Sequence, residues 1–480
     1  MPARHLIDRD ATDQLLALSS GAIGAVELLK AALARHEQTH ARLNAVVNAD
    51  LERALERARA IDDARSRGET LGLLAGLPMT IKDTFDVVGM PASAGLEAFR
   101  RRPCDDAVVV AHARRAGAVI WGKTNVPVMA GDFQSFNALY GTTNNPWDVS
   151  RTPGGSSGGA AAALAAGVTA LEIGSDIGGS LRTPASFTGV FSHKPTWGMV
   201  AQHGHVPPRP GSWAEPDLNV IGPMSRSARD LRLLLSVIEN GPLAARAAPA
   251  NLKGLRVGLW TQEPRFVLDP EVKAVVEAFG AKLAVAGCEV TPIVTPVDAK
   301  ALMDAYLMLL LPIIGADLPP RQRLSLELMR PFAKFAARDG DAPGWAQQAL
   351  AYTARHNEWL AADAVRARLS HEMRSAFERH DVILAPINPV TAFPHDHGPF
   401  NGRTLKLSTG DSVPYVAMLQ WIALATACGL PATAVPAGLA ASGRPVGVQI
   451  IGPRGGDART LAVAQAIDEN IGGFVAPPPG

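Results

Sequence analysis

Apolar positions at helical spacing mark the start of the chain. Val26, Leu29 and Leu33 share one face, while Glu52, Arg53, Glu56 and Arg57 make a charged one. Residues 24–66 are therefore predicted to be mostly helix, packed as an outer layer. From about residue 70 the texture changes to short apolar runs punctuated by Gly and Pro. Leu77–Ile81 reads as a strand, Val108–Ala116 as a helix and Ala118–Trp121 as a strand. An Ala-rich helix over Ala160–Ala166 leads to a strand at Ala170–Ile173, and residues 228–238 read as helix. Leu255–Leu259 is a strand and Glu271–Ala286 an amphipathic helix. Val290–Val294 is a strand placed at a sheet edge because Pro292 cannot donate to a ladder. Residues 297–380 turn helical, with an apolar part at Ala301–Ile314 and a polar part at Arg355–Arg379. Val382–Ala385 and Pro445–Ile451 return to strand, and Tyr415–Ala427 reads as helix. Strands alternating with helices predict an α/β fold with a largely covered sheet and a helical cap or insertion. No repeat or linker interrupts it, so residues 1–480 are read as one domain. Within it, 1–70 form a helical layer, 71–260 a core, 297–380 the cap and 381–480 a return to the core.

Composition narrows the picture. With 480 residues, 47% of them hydrophobic, the chain can bury a large core. A formal net charge of +1 and no basic stripe give no footprint for nucleic acid. Cys104, Cys288 and Cys428 fit no metal motif and no disulfide framework, which suits buried thiols in a reducing, cytoplasmic setting. Met1–Asp10 carries Arg4, Asp8, Arg9 and Asp10 and lacks the apolar stretch of a secretory signal. Tyr306–Ala316 is the most apolar run. It is about half the roughly 20 residues a membrane span needs and is broken by Pro312, so it is expected to be a core or pocket-lining helix.

Three motifs invite chemistry that their surroundings refuse. Gly117–Thr124, GAVIWGKT, matches a P-loop, yet its middle is itself a strand rather than a loop whose N–H groups could cradle phosphate. Gly154–Gly158, GGSSG, matches a nucleophile elbow with His380, His395 or His397 as partner, but it follows a turn-rich loop and not a buried strand. No Gly-rich segment has the strand-to-helix setting of a dinucleotide fingerprint. Two Gly/Ser segments then remain, 154–159 (GGSSGG) and 174–180 (GSDIGGS). Glycines let backbone N–H groups approach a developing oxyanion. A serine nucleophile needs a base, and neither segment contains a histidine. A buried lysine with a destabilised ammonium can serve, and Lys82, just past the apolar run Leu77–Ile81, is the best candidate.

Here the residues resemble a known family, the amidase-signature hydrolases. TPGGSSGGAAAALAA (152–166) followed by GSDIGGSLRTPA (174–185) is similar to the central signature, and GLPMTIKD (76–83) to the lysine segment. HKPTWG (193–198), GPMSRSARD (222–230), LAPINPVTAFP (384–394), GLPATAVPAG (429–438) and GRPVGVQIIGP (443–453) follow in the family's order, and LNAVV (43–47) fits the N-terminal helical layer. The resemblance implies a mixed central sheet covered by helices on both faces. It implies Lys82 as base, Ser156 as proton relay with a cis peptide bond, and Ser180 as nucleophile. It further implies an oxyanion hole from the backbone N–H groups of Ile177, Gly178, Gly179 and Ser180. Asp176 and Arg182 are then expected to position the loop, with Ser157 and Ser175 as hydrogen-bond partners. No metal or organic cofactor is implied.

Substrates vary within the family. DFQSFN (132–137) and Ile177, where the glutamine-dependent amidotransferase subunits usually carry a polar residue, depart from that branch. The expectation is a stand-alone hydrolase of an apolar amide, anilide or carbamate, with esters as side substrates. Its partner is a small molecule; a homodimer is a guess from frequency alone. The alternatives are an amidotransferase subunit releasing ammonia from glutamine or asparagine, and a non-catalytic scaffold. Tyr306–Ile314 is expected to wall the site, with Trp213, Met308 and Phe332 contributing.

Overall fold

The computed structural model describes residues 3–241, 251–337 and 344–478; Met1, Pro2 and residues 338–343 of the helical stretch lie outside it. Two sheets organise the chain. Strands β1 (Val46–Ala49), β2 (Pro78–Lys82) and β3 (Val119–Thr124) form a small one in the order β1-β3-β2. β2 runs parallel to β3, and β1 antiparallel. The large sheet takes β4 (Leu171–Asp176), β5 (Phe191–Lys194), β6 (Val220–Ser225), β7 (Arg256–Leu259), β8 (Glu289–Pro292), β9 (Val382–Pro386), β10 (Ala432–Leu439) and β11 (Pro445–Ile451). Their order is β8-β7-β9-β11-β10-β5-β6-β4. β7 pairs in parallel with β8 and β9, and the other pairs are antiparallel, so the sheet is mixed. As its proline suggests, β8 sits at the edge.

The helical stretch comprises Ala299–Ile314, Pro320–Ala336, Gly344–Tyr352 and His356–Arg379. With its terminal turn, the first of these is long and apolar enough by length and composition to cross a membrane. Leu302, Tyr306, Leu309 and Leu310 are nevertheless buried against the protein's own second core cluster.

Several expectations need correcting. Residues 24–66 are two helices, Ala25–Leu43 and Leu51–Ser66, separated by β1. Asn44 at φ 48° ends the first, and Val46 then pairs with Thr124, so the last two residues of LNAVV are strand. Tyr415–Ala427 is not one helix but a 3-10 turn, Tyr415–Leu419, and a short helix, Ala423–Ala427. Strands β5, β6 and β10 went unread, because Pro223 and Pro436 interrupt two of them and β5 has only four residues. The P-loop lookalike, as its middle suggested, is mostly strand: Val119–Thr124 of it form β3. There, buried Lys123 pairs with buried Asp83 at 3.0 Å and donates to the Phe85 carbonyl at 2.7 Å, so its ammonium is committed to protein groups.

Candidate active site

Strand β2 ends on Lys82 and packs beside β4, which ends on Asp176. Between β4 and the helix Arg182–Thr188 lies the tight turn 177–181, in the second Gly/Ser segment; the first segment leads into the helix Gly158–Ala165. The two loops meet, with the Ser157 N–H donating to the Ser180 carbonyl at 3.3 Å. The Gly155–Ser156 peptide is cis.

Lys82 is fully buried, with Nζ 2.7 Å from Ser156 Oγ. It also donates to Ser175 Oγ at 2.9 Å and reaches the Ser175 carbonyl at 3.4 Å. Burial lowers its pKa to about 7 against the pull of the Asp176 and Glu172 carboxylates, so a large neutral fraction exists near neutral pH. Buried Glu172 accepts from Thr80 Oγ1 at 2.5 Å, and burial raises its pKa to about 8. While it is protonated it lends no negative charge to hold the lysine's proton.

Ser175 leads to a residue that the sequence reading missed. His205 Nε2 lies 2.9 Å from Ser175 Oγ, and Nδ1 lies 2.8 Å from the Pro207 carbonyl. A carbonyl can only accept, so Nδ1 carries the proton and Nε2 accepts from the Ser175 hydroxyl. Burial, then the Lys82 charge, pushes the His205 pKa down to about 3, which keeps the ring neutral. Ser175 thus donates to His205 and accepts from Lys82. The lysine's lone pair is left for Ser156. Two loop histidines in HGHVPP carried no signal of this.

Asp176 organises the turn. Its carboxylate accepts from the amides of Gly179 at 2.8 Å and Leu181 at 3.1 Å, and takes a two-pronged contact from Arg182 at 3.0 and 3.1 Å. Burial opposes its ionisation, but the Arg182 charge and hydrogen bonds outweigh this and hold the carboxyl below its ordinary value. Arg182 also reaches Gln449 Oε1, Thr426 Oγ1 and the Ile422 carbonyl. Tyr306 OH donates to the Ile177 carbonyl at 2.8 Å, pinning the turn to the first cap helix.

Of the four amides expected to form an oxyanion hole, one is engaged by the protein itself. The Gly179 N–H is spent on Asp176, whereas the amides of Ile177, Gly178 and Ser180 carry no hydrogen bond to another described residue. Gly179 holds φ +93°, and a Cβ there would sit 3.0 Å from Thr183 Oγ1. Gly179→Ala is therefore expected to displace the neighbouring amides and lower kcat about 100-fold with little change in KM. Steady-state kinetics on a cleaved amide check this; an unchanged kcat would remove the turn from the chemistry. Ser157 also departs from expectation: its buried hydroxyl has no partner among the described residues, and only its backbone joins the network.

Two cavities meet at Ser180. One, of about 370 Å³, is walled by Asp132, Phe133, Gly178, Leu307, Leu310, Leu311 and Leu419. The other, of about 420 Å³, is walled by Ser156, Ser175, His205, Pro207, Pro208 and Ile313. Ala130, Gly131, Ile177, Ser180 and Ile314 border both. Ser180 stands on this shared wall and makes no side-chain hydrogen bond to Ser156. Asp132 is held by Arg403 at 2.6 Å and Tyr415 OH at 2.8 Å. Of the expected wall, the Tyr306–Ile314 helix contributes, but Trp213 is 82% exposed and stacked on His203, and Phe332 is 71% exposed. Met308 lines neither cavity and borders a separate pocket beside Lys300 and Asp304 instead.

Known proteins agree with this architecture. Residues 27–461 match the family model Amidase. A glutamyl-tRNA(Gln) amidotransferase subunit of Moorella thermoacetica is 33% identical, with 93% of each chain covered. Its counterpart in Anaeromyxobacter sp. (strain K) is 33% identical, with 99% of each covered. Among solved structures, 6-aminohexanoate cyclic dimer hydrolase superposes with a TM-score of 0.78 at 27% identity, covering 96% of this chain and 97% of that one. A family match over most of the chain, together with the mixed sheet and its covering helices, places the protein: it belongs to the amidase-signature family, whose enzymes hydrolyse C–N bonds.

Proposed function

We propose that the chain hydrolyses an amide through an acyl-enzyme on Ser180, with Ser156 as relay and Lys82 as base. The observation that carries this is the 2.7 Å contact between Ser156 and a fully buried lysine whose pKa lies near 7. Neutral Lys82 takes the Ser156 proton as Ser156 takes that of Ser180. Ser180 Oγ bonds to the carbonyl carbon, and the free amides of Ile177, Gly178 and Ser180 receive the oxyanion. The C–N bond breaks as the relay returns the proton to nitrogen, and water then cleaves the ester. Asp176 and Arg182 position the turn, and His205 positions Ser175.

Two readings of the substrate follow. The curated relatives favour an amidotransferase subunit that frees ammonia from glutamine or asparagine and works beside other subunits rather than as a homodimer. The cavities favour a stand-alone hydrolase of an apolar amide. Among the described residues, no lysine or arginine lines either one, so a free amino acid's carboxylate finds no cation there. Ile177, and Asp132 and Phe133 at the start of the Asp132–Asn137 segment, lie at these walls, and both stretches are unlike the amidotransferase pattern.

A small fluorophosphonate followed by peptide mapping tests the nucleophile: label on Ser180, absent in Ser180→Ala, is expected, and label on another serine overturns the assignment. Ammonia release from glutamine, compared with turnover of N-substituted amides, separates the two substrate readings. The pH profile has a definite sign. Because the active form is unprotonated Lys82, kcat/KM is expected to rise about tenfold per pH unit below pH 7 and to level off above it. A profile flat from pH 5 to 9 would rule out the lysine as base.

A further inference from the structure

The two cavities assign the two halves of the substrate, and this rests on the stand-alone reading of the site. The leaving nitrogen must receive a proton from Ser156, and Ser156 borders only the 420 Å³ cavity, together with Ser175 and His205. Gly178, one of the three amides that the proposed mechanism gives to the oxyanion, borders only the 370 Å³ cavity. Ser180 and Ile177 stand between them. We infer that the 420 Å³ cavity is a binding site for the leaving amine, and that the substrate is a secondary amide with an apolar group on nitrogen as well as on the acyl carbon.

Two physical points support this. Ammonia needs almost no room, whereas a cavity above about 300 Å³ is of ligand size. Its wall is also unsuited to a charged amine: Pro207, Pro208 and Ile313 are apolar, His205 is neutral, and Asp317 at the rim is paired with Arg209 at 2.7 Å. The amine therefore leaves as an apolar one, protonated at nitrogen by the relay. The first cap helix serves both sites, since Leu311 faces the acyl cavity and Ile313, two residues on, faces the amine cavity.

The test uses N-benzylacetamide, bulky on nitrogen, and N-methyl-2-phenylacetamide, bulky on the acyl side, with 2-phenylacetamide as the primary amide. Ile313→Trp is expected to lower kcat/KM for N-benzylacetamide at least tenfold more than for N-methyl-2-phenylacetamide, and Leu311→Trp to do the reverse. Fluorophosphonate labelling of Ser180 checks that each variant is folded. Where one fails to label, Ala316→Trp replaces Ile313→Trp on the amine wall, or Asn401→Trp replaces Leu311→Trp on the acyl wall. Equal effects of both variants, a reversed pattern, or wild-type turnover of 2-phenylacetamide without N-benzylacetamide would overturn the inference. So would a labelled wild type that cleaves neither secondary amide, and that result leaves the nucleophile standing. A wild type that does not label at Ser180 overturns the proposed chemistry itself.

Discussion

Ser180→Ala is expected to lower kcat by about 10⁴-fold or more while KM and thermal stability stay near wild type. The magnitude follows from the unit nature of the relay. Once the nucleophile is gone, Ser156 and Lys82 have no proton to move, and what survives is binding and oxyanion stabilisation alone. Stability should hold because the side chain stands on the cavity wall and makes no side-chain hydrogen bond to another described residue, so its loss strands no partner. Ser156→Ala should also be severely impaired, but it retains the Ser180 hydroxyl and is expected to keep slow labelling by fluorophosphonate. Active-site titration followed by single-turnover kinetics separates the two. If Ser180→Ala keeps more than a tenth of wild-type kcat, Ser180 is not the nucleophile.

Much of this site was readable because each of its parts violates a local rule. A lysine ending an apolar strand is costly unless it is partnered or neutral, and Lys82 proves fully buried. Two Gly/Ser segments beside apolar elements mark backbone that must approach something closely, and they meet through Ser157 and Ser180. The P-loop lookalike could be dismissed for the same kind of reason: its lysine falls inside a strand, where Asp83 takes its charge.

The unread parts depend on contacts far apart in the chain. His205 reaches Ser175 across 30 residues, and nothing in HGHVPP distinguishes it from a loop histidine. The commitment of the Gly179 amide follows from where Asp176 points, which spacing alone does not reveal. Trp213 and Phe332 show the opposite failure. Their size suggested a wall, but Trp213 stacks on His203 outside the site, and Phe332 lies on the exposed face of its helix. Strand β6 was hidden by its own composition: Gly222 and Pro223 break the apolar run of VIGPMS, and β4 and β5 make it a strand by pairing with it from either side.

Asp176→Ala is expected to destabilise the fold by about 3–5 kcal/mol, because it leaves the Arg182 guanidinium buried without its counter-ion. It also strips the acceptor from the Gly179 and Leu181 amides, so the turn loses the bonds that aim its other N–H groups. The stability Asp176 contributes is present above its ordinary pKa of 3.8 and is lost as pH falls through its lower folded value. Chemical denaturation at neutral pH measures the loss. Asp176→Asn keeps one acceptor for the turn while deleting the charge, and it remains a test if the alanine variant does not fold. Its second consequence is electrostatic. The Asp176 carboxylate raises the Lys82 pKa, so removing it should move the acid limb of the kcat/KM profile to lower pH even as the maximal rate falls. A structural role alone would lower the rate without moving that limb. An acid limb that stays in place, or moves to higher pH, would mean that Asp176 holds the turn but does not tune the base.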